Sequence, residues 1–284
     1  RLRKINERKM SLKNLDSLTG SFNASERFPL LFLGHGSPMN AIEENEFVQG
    51  WRKAGENLEK PNAILCISAH WETKGTQVTA MLQPPTIHDF YGFPKALYEV
   101  DYPAPGSPEL AEETKQTIKS TQVELDHSWG LDHGAWSVVK HLFPNADVPI
   151  VQMSLDSTQP PAYHYALAKE LNSLRRKGVL IVGSGNMVHN LRIMDWGKPN
   201  EGYDWAQEAN EKMKKYIYDG DHLSLVNYKS GGKAMQLSVP TPEHYLPLLY
   251  ILALKENDEN VQVFNDKTIM GSIAMTSISI NSNT

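Results

Sequence analysis

Apolar positions along this chain gather into short unbroken runs, and the runs stop where polar chemistry begins. Residues 63–72, AILCISAHWE, are apolar on both faces, β-branched in part and too short for an ordinary helix. They predict a buried strand of a parallel sheet that delivers His70 at its far end. PLLFLGHGSP repeats the arrangement, with an apolar run at 30–33 followed by His35, and so does VLIVGSGNMVHN, where the run ends at Gly183 and His189 follows. Three histidines thus come after three buried strands, and in open α/β sheets ligands gather at the carboxyl ends of the strands. Gly34 and Gly36 flank His35, freeing the backbone for a sharp turn and for close approach of a metal or substrate.

Between the strands the period changes to that of helices. A helix over 41–58 would turn Ile42, Phe47 and Trp51 inward, and one over 162–176 would bury Leu167, Leu171 and Leu174. Ser107 and Pro108 start a helix to about residue 120, and Asp204 caps another to 218. Trp136, Val139 and Leu142 or Phe143 mark a helix face, with His133 in the loop entering it. Further strands are expected at 77–82, 123–125, 149–155, 261–264 and 272–280. The alternation predicts an α/β fold, a single domain with a mainly parallel central sheet covered by helices. Near the end, Thr241 and Pro242 suit the cap and first position of an apolar helix that holds His244 in its first turn. The helix dipole there disfavours imidazolium, so His244 is expected to be neutral and able to bind metal. Residues 84–108 break the regularity with prolines and glycines and carry Phe90, Tyr91, Phe93, Tyr98 and Tyr102. They suit either a lid over an aromatic substrate or a loop that merely covers core.

Composition narrows the class. With 284 residues, 40% of them hydrophobic and 21% charged, the chain fits one large domain. Residues 1–28 are polar and read as a flexible N-terminal extension, leaving 29–284 as the catalytic domain. A net charge of -5 gives no basic field, so nucleic acid and anionic membrane surfaces are not expected as partners. No window nears the roughly 18 apolar residues that span a bilayer, and 1–28 lacks the apolar core of a secretory signal. A soluble cytoplasmic protein is expected. Cys66 is the only cysteine, which rules out an internal disulfide and reads as a core thiol.

Ten histidines are the unusual part of the composition. His35, His70, His189 and His244 sit past strand ends or at a helix start, where side chains from distant positions converge, and imidazole suits zinc, iron, copper and nickel. Neither HExxH nor CxxC is present, so spacing alone does not identify a metal site. His133 stands beside the Asp132 carboxylate at a helix entry and is a candidate acid or base. His141 and His164 are assigned to solvated helix faces, His222 to a polar turn, and His127 to structure. His88 and Asp89 read as a loop hydrogen bond, and Gly183-Ser184-Gly185 as a tight turn positioning His189. Glu243, adjacent to His244, could itself supply a third ligand.

The motifs FLGHGSPMN, SAHW, PPTIHDFYGFP, YPAPGSP, WGLDHGAW, SGNMVHN and PTPEHYLPLLY occur in this order over nearly the whole chain beyond the extension. With them the sequence resembles the DOPA 4,5-dioxygenase group of the class III extradiol ring-cleaving dioxygenases. The resemblance implies a mononuclear metal site with His35, His70, His189 and His244 at positions that match metal ligands. It also implies an α/β fold and insertion of both atoms of dioxygen into a catechol, DOPA being the expected substrate. In the wider superfamily two histidines and a glutamate hold the iron and a histidine similar to His189 is an acid-base catalyst. The local sequence Glu243-His244 therefore leaves the third ligand open, and leaves His189 either a ligand or a catalyst.

The expected mechanism has Fe(II) on His35, His70 and His244, a catechol and O2 as reactants, His189 accepting a catechol proton and His133 hydrogen-bonding the substrate or oxygen. Zinc is expected to occupy the site in purified protein, lying above Fe(II) in affinity for nitrogen ligands. Two other classes use the same residues: a zinc hydrolase that activates water, and a non-enzymatic metal-holding relative.

Overall fold

The computed structural model describes residues 26–282. Its strands are β1 (Leu30–Gly34), β2 (Ala63–Thr73), β3 (Thr76–Thr79), β4 (Val123–Asp126), β5 (Ile150–Asp156), β6 (Val179–Gly185), β7 (Glu259–Phe264), β8 (Thr268–Ile269), β9 (Ile273–Ala274) and β10 (Ser277–Ser282). Eight of them form one sheet in the order β4-β3-β5-β2-β6-β1-β10-β7, and β8 pairs with β9. The centre, β5-β2-β6-β1, is parallel throughout. Antiparallel pairing appears only toward the margins, where β3 meets β5 and where β10 meets β1 and β7.

Alternation within β1 explains the layers. Leu30 and Phe32 join one core with Leu65 and Ile67, closed by residues of the helices Pro161–Ala168, Asp204–Asp219 and Leu246–Ala253. Leu31 and Leu33 join the other with Ile64 and Cys66, closed by the helices Glu46–Glu56 and His133–Leu142. Each buried aliphatic side chain contributes roughly 1.5–3 kcal/mol, so a strand apolar on both faces is stable only between two helical layers. The fold is the single-domain α/β arrangement that the apolar runs predict.

Several boundaries moved, each for a local reason. The helix expected over 41–58 is limited to Glu46–Glu56, because Asn45 Oδ1 accepts from the Phe47 and Val48 N–H groups, both at 3.1 Å. Ile42 falls outside it and is 40% exposed rather than buried. The helix expected over 162–176 tightens to a 3-10 segment at Lys169–Lys177 and stops at Gly178, whose φ is 74°. Asp204 is the first helical residue rather than the cap, a position taken by Tyr203. The last apolar helix begins at Leu246, so Thr241, Pro242 and His244 all precede it. Of the expected extension, residues 1–25 lie outside the described residues. Arg27 and Phe28 are bound to the folded body, Arg27 to Glu256 and Asp258 and Phe28 through its N–H to Arg175 O.

His141 and His164, assigned by sequence to solvated faces, are buried. His141 Nε2 donates to Asn40 O at 2.8 Å while the ring stacks on Trp51. His164 Nε2 faces Asp156 O at 3.2 Å and Nδ1 faces the Tyr250 hydroxyl at 3.0 Å. A carbonyl only accepts, so Nε2 carries the proton and Nδ1 accepts from tyrosine. Burial pushes the His164 pKa down from 6.5 to about 4. The fold therefore holds the neutral ring: its contribution is complete above pH 6.5 and is lost as pH falls from there toward 4. Urea midpoints measured across this window should fall with acidification, and His164→Gln should flatten the slope. Equal slopes in the two proteins would refute that assignment.

Candidate metal centre

Backbone packing brings the histidines together. His35 leaves the end of β1 with its N–H on Gly185 O at 3.1 Å, and Asn186 at the end of β6 donates to His244 O at 2.8 Å. A Cβ on Gly185 would lie 2.2 Å from His244 O, and one on Gly134 would lie 2.8 Å from His70 Cδ2. Glycine at those positions lets the strand end and the entry of the helix His133–Leu142 close on the rings.

The ring centroids of His35 and His70 lie 5.0 Å apart, those of His35 and His244 5.3 Å and those of His70 and His244 5.0 Å. Imidazoles that share one ion at metal–nitrogen distances of about 2.1 Å hold their centroids roughly 5 Å apart, so this trio has the spacing of a common ligand set. His133 lies closer to His70, at 3.9 Å, and farther from His35, at 5.9 Å. His189 is stacked face to face on His244, with centroids 3.5 Å apart and planes 10° from parallel. Among the described residues, two neighbouring sets each bring three donor atoms within 4.8 Å: His35, His70 and His133, and His189, Glu243 and His244.

Proton positions follow from the partners. The Ser184 hydroxyl donates to Gly134 O, so it accepts from His35 Nδ1 at 3.0 Å and leaves His35 Nε2 bare. His70 Nδ1 faces Asp89 Oδ2 at 3.3 Å, and His244 Nδ1 faces Glu243 Oε1 at 3.1 Å, which fixes those protons in the same way. Glu243 Oε1 also accepts from Thr241 Oγ1, so this oxygen orients His244. The Nε2 atoms of His35 and His70 are then two bare lone pairs only 3.2 Å apart, an arrangement that suits a cation and little else.

Burial is the main reason these rings stay neutral. It pushes His70 to about 3 and His189 to about 4, and holds His35 and His244 well below the usual range, with the neighbouring histidines adding to it. For His244 the largest cause is desolvation, with His189, His70 and His133 adding to it, and its residue stands just before the helix rather than in its first turn. Asp89 is the carboxylate behind the cluster. It accepts from the His133 N–H at 2.8 Å, and its Oδ1 lies 3.0 Å from His133 Nδ1. Burial would raise its pKa, but the hydrogen bond and charge of His133 and the charge of His70 outweigh this and hold it low.

Asp132, which sequence pairs with His133, is occupied elsewhere. It caps the helix through Ala135 N and accepts from Ser68 Oγ at 2.7 Å and Gln152 Nε2 at 2.7 Å. The rings line a cavity of about 250 Å³ whose other walls include Phe90, Phe93, Met194 and Trp196. Residues 84–108 are thus both cover and wall: Tyr102 is anchored by its hydroxyl to Phe143 O at 2.7 Å, and the same loop supplies Asp89.

The catalytic LigB subunit of aromatic ring-opening dioxygenases matches residues 29–263. The chain belongs to this family. It is 48% identical to a 4,5-DOPA dioxygenase extradiol of Escherichia coli over 90% of this chain and 96% of that one. It is 37% identical to one of Beta vulgaris over 80% and 85%. An uncharacterized Escherichia coli K12 protein of known crystal structure superposes with a TM-score of 0.79 at 42% identity, covering 90% of this chain and all of the other. The resemblance drawn from the ordered motifs is therefore correct, and the chain is an aromatic ring-opening dioxygenase of the extradiol type.

Around this cluster, sequence assigned Asp89 only a loop hydrogen bond, and passed over Ser184 as the partner of His35 and the 191–196 segment at the mouth. Only the aspartate carried a signal, its place next to His88 in an aromatic-rich loop. Outer partners of this kind typically set metal affinity by about 10- to 100-fold. Asp89→Asn should weaken divalent-metal binding by an amount in that range, read by competition with a chromophoric chelator. Unchanged affinity would remove Asp89 from this role.

Proposed function

We propose that the Nε2 atoms of His35, His70 and His244 hold one Fe(II), and that the enzyme opens a catechol beside its diol, with DOPA cleaved at the 4,5 bond to a muconic semialdehyde. The observation that carries the ligand set is the near-equal spacing of these three rings, each with its Nδ1 already engaged. DOPA is supported by the names of relatives at 48% and 37% identity. Bound Fe(II) supplies the electron exchange with dioxygen that zinc, with its filled d shell, lacks.

The remaining residues handle protons and position. A ligand's lone pair lies in its ring plane, and the His189 plane is displaced from that of His244 by the 3.5 Å stack. Its flat stack on His244 sets His189 apart from the trio of evenly spaced rings that would hold the ion, which supports His189 as base rather than fourth ligand. Held neutral by burial, it takes a proton from a catechol hydroxyl. His133 is held by Asp89 on one side and lines the cavity on the other, where it hydrogen-bonds the substrate. In the balanced reaction one ring C–C bond breaks, both oxygen atoms enter the product, and an aldehyde and a carboxylate result.

His35→Ala and His70→Ala should lose stoichiometric metal by elemental analysis of folded protein, whereas His141→Ala should keep it. His133→Ala and His189→Ala should retain metal yet lose at least about tenfold in kcat/KM, about 1.4 kcal/mol of transition-state stabilisation. Loss of metal from His189→Ala would make it a ligand instead.

Zinc should occupy aerobically purified protein, because it lies above Fe(II) in the affinity order. Stripping and anaerobic reloading with Fe(II) should give oxygen uptake with DOPA and a yellow product, and zinc reloading neither. Ring opening by iron-free zinc protein, or no uptake by the Fe(II) form with any catechol, overturns this reading.

A further inference from the structure

β2 leaves its regular pairing where the histidine cluster begins. Its ladder with β6 runs from Ala63 to Ser68. Against β5, Ile67 pairs with Met153 and Glu72 with Leu155, so β2 takes five steps, 67 to 72, where β5 takes two, 153 to 155. His70 lies within that bulged interval, and a bulge re-aims side chains out of the ordinary alternation of a strand. Buried polar groups hold the interval in shape. The His70 N–H donates to Ser68 Oγ at 3.2 Å, and the same hydroxyl donates to Asp132 Oδ1 at 2.7 Å.

Asp132 is the centre of this set. Its Oδ1 also accepts from the Ala135 N–H at 3.0 Å, which caps the helix that begins at His133. Its Oδ2 accepts from Gln152 Nε2 at 2.7 Å, and its own N–H donates to Gln152 Oε1 at 2.9 Å. Ser68, Asp132 and Gln152 are all 0% exposed, and Ser68 and Gln152 interrupt strands that are largely apolar. Burying polar groups is unfavourable unless each is bonded, and a fully bonded set fixes one geometry. Gly134 lets the parts close: a Cβ there would lie 2.5 Å from Ser68 Oγ, 2.8 Å from His70 Cδ2 and 3.2 Å from Asp132 Oδ1.

We infer that Ser68, Asp132 and Gln152 are positioning residues that set the separation of His70 and His133, whose ring centroids lie 3.9 Å apart. Asp132 reaches the His70 backbone through Ser68 and His133 through the helix it caps, while Gln152 anchors it to β5. Asp89 holds the same two histidines by their rings. The inference rests on the roles given above to these histidines, His70 as ligand and His133 as contact to the substrate.

The bonding pattern supplies its own test, because the groups around the Asp132 carboxylate all donate to it and call for a pure acceptor. In Asp132→Asn the amide NH2 faces a donor in either orientation, the Ala135 N–H or Gln152 Nε2. Turning Gln152 over only moves the conflict to the N–H of residue 132. Combining Asp132→Asn with Gln152→Glu gives both of those donors a carboxylate and restores the pattern.

Zinc affinity is read by competition with a chromophoric chelator, and the ring separation from crystals of the zinc-loaded proteins. Ser68→Ala and Asp132→Asn should each bind zinc at least about tenfold more weakly, the lower end of the range for outer partners of metal ligands, with the His70–His133 separation changed. The double variant should recover most of the lost affinity and the parental separation. Unchanged affinity or unchanged separation in folded Ser68→Ala and Asp132→Asn, or a double variant no better than Asp132→Asn, overturns the inference. Urea midpoints establish folding; should Asp132→Asn not fold, Ser68→Ala, which keeps the cap and Gln152, decides alone. Absence of oxygen uptake by the parental Fe(II) form with any catechol overturns the dioxygenase reading instead, while zinc affinities and ring separations still decide the positioning role.

Discussion

Two imidazole nitrogens without protons face each other 3.2 Å apart, His35 just past the end of β1 and His70 toward the carboxyl end of β2 with β6 between those strands, and much of the structure exists to hold them so. Left to themselves, His35 and His70 would turn away or one would take up a proton. The first escape is closed by Ser184 and Asp89, which fix each Nδ1, and the second by burial, which makes the charged ring unfavourable. The repulsion that remains is relieved by a cation, so binding one also stabilises the folded state. Each outer partner leaves its histidine one nitrogen with which to bind, which together with the ring spacing supports the donor set proposed above.

Much of this was legible in the chain because strand ends are legible. A run apolar on both faces has to be a central strand between two helical layers, and a histidine just past it has to emerge at the carboxyl edge. That reasoning located His35, His70 and His189 without any knowledge of their neighbours. What escaped depended on which side chain meets which across the fold. The helix that holds His141 is buried on nearly all sides, and His164 shares the one buried stripe of its helix with Leu167 and Ala168, so the rings bond to Asn40, Asp156 and Tyr250 in the interior. Asp89 arrives from an irregular loop with no periodicity to read, and Asp132, adjacent to His133 in sequence, is drawn away by the helix cap it provides. Adjacency along the chain was a poor guide to the partner of His133, and it was a good guide for Glu243 and His244, which bond directly.

The approach to His244 carries a similar lesson. Thr241 and Pro242 fit a helix start by composition, but the Thr241 hydroxyl bonds the Glu243 carboxylate and the helix begins only at Leu246. The turn residues serve the site before they serve the helix. The expected neutrality of His244 is present, and desolvation is its largest cause, with the neighbouring histidines adding to it.

The fourth histidine of the cluster separates a closed site from an open one. Four convergent imidazoles would complete a tetrahedral shell and leave no position for a reactant, as in structural zinc sites. His189 lies flat on His244 within the same small cavity, and on the reading proposed above it would not join the shared ligand set. The ring can then act on protons of a bound molecule, and its neutral state at ordinary pH is the one that accepts them. The cavity that the histidines line is otherwise walled largely by aromatic and aliphatic side chains. On the proposed ligand set, a single packing choice, two rings face to face instead of edge to a common point, would leave the site open to a reactant.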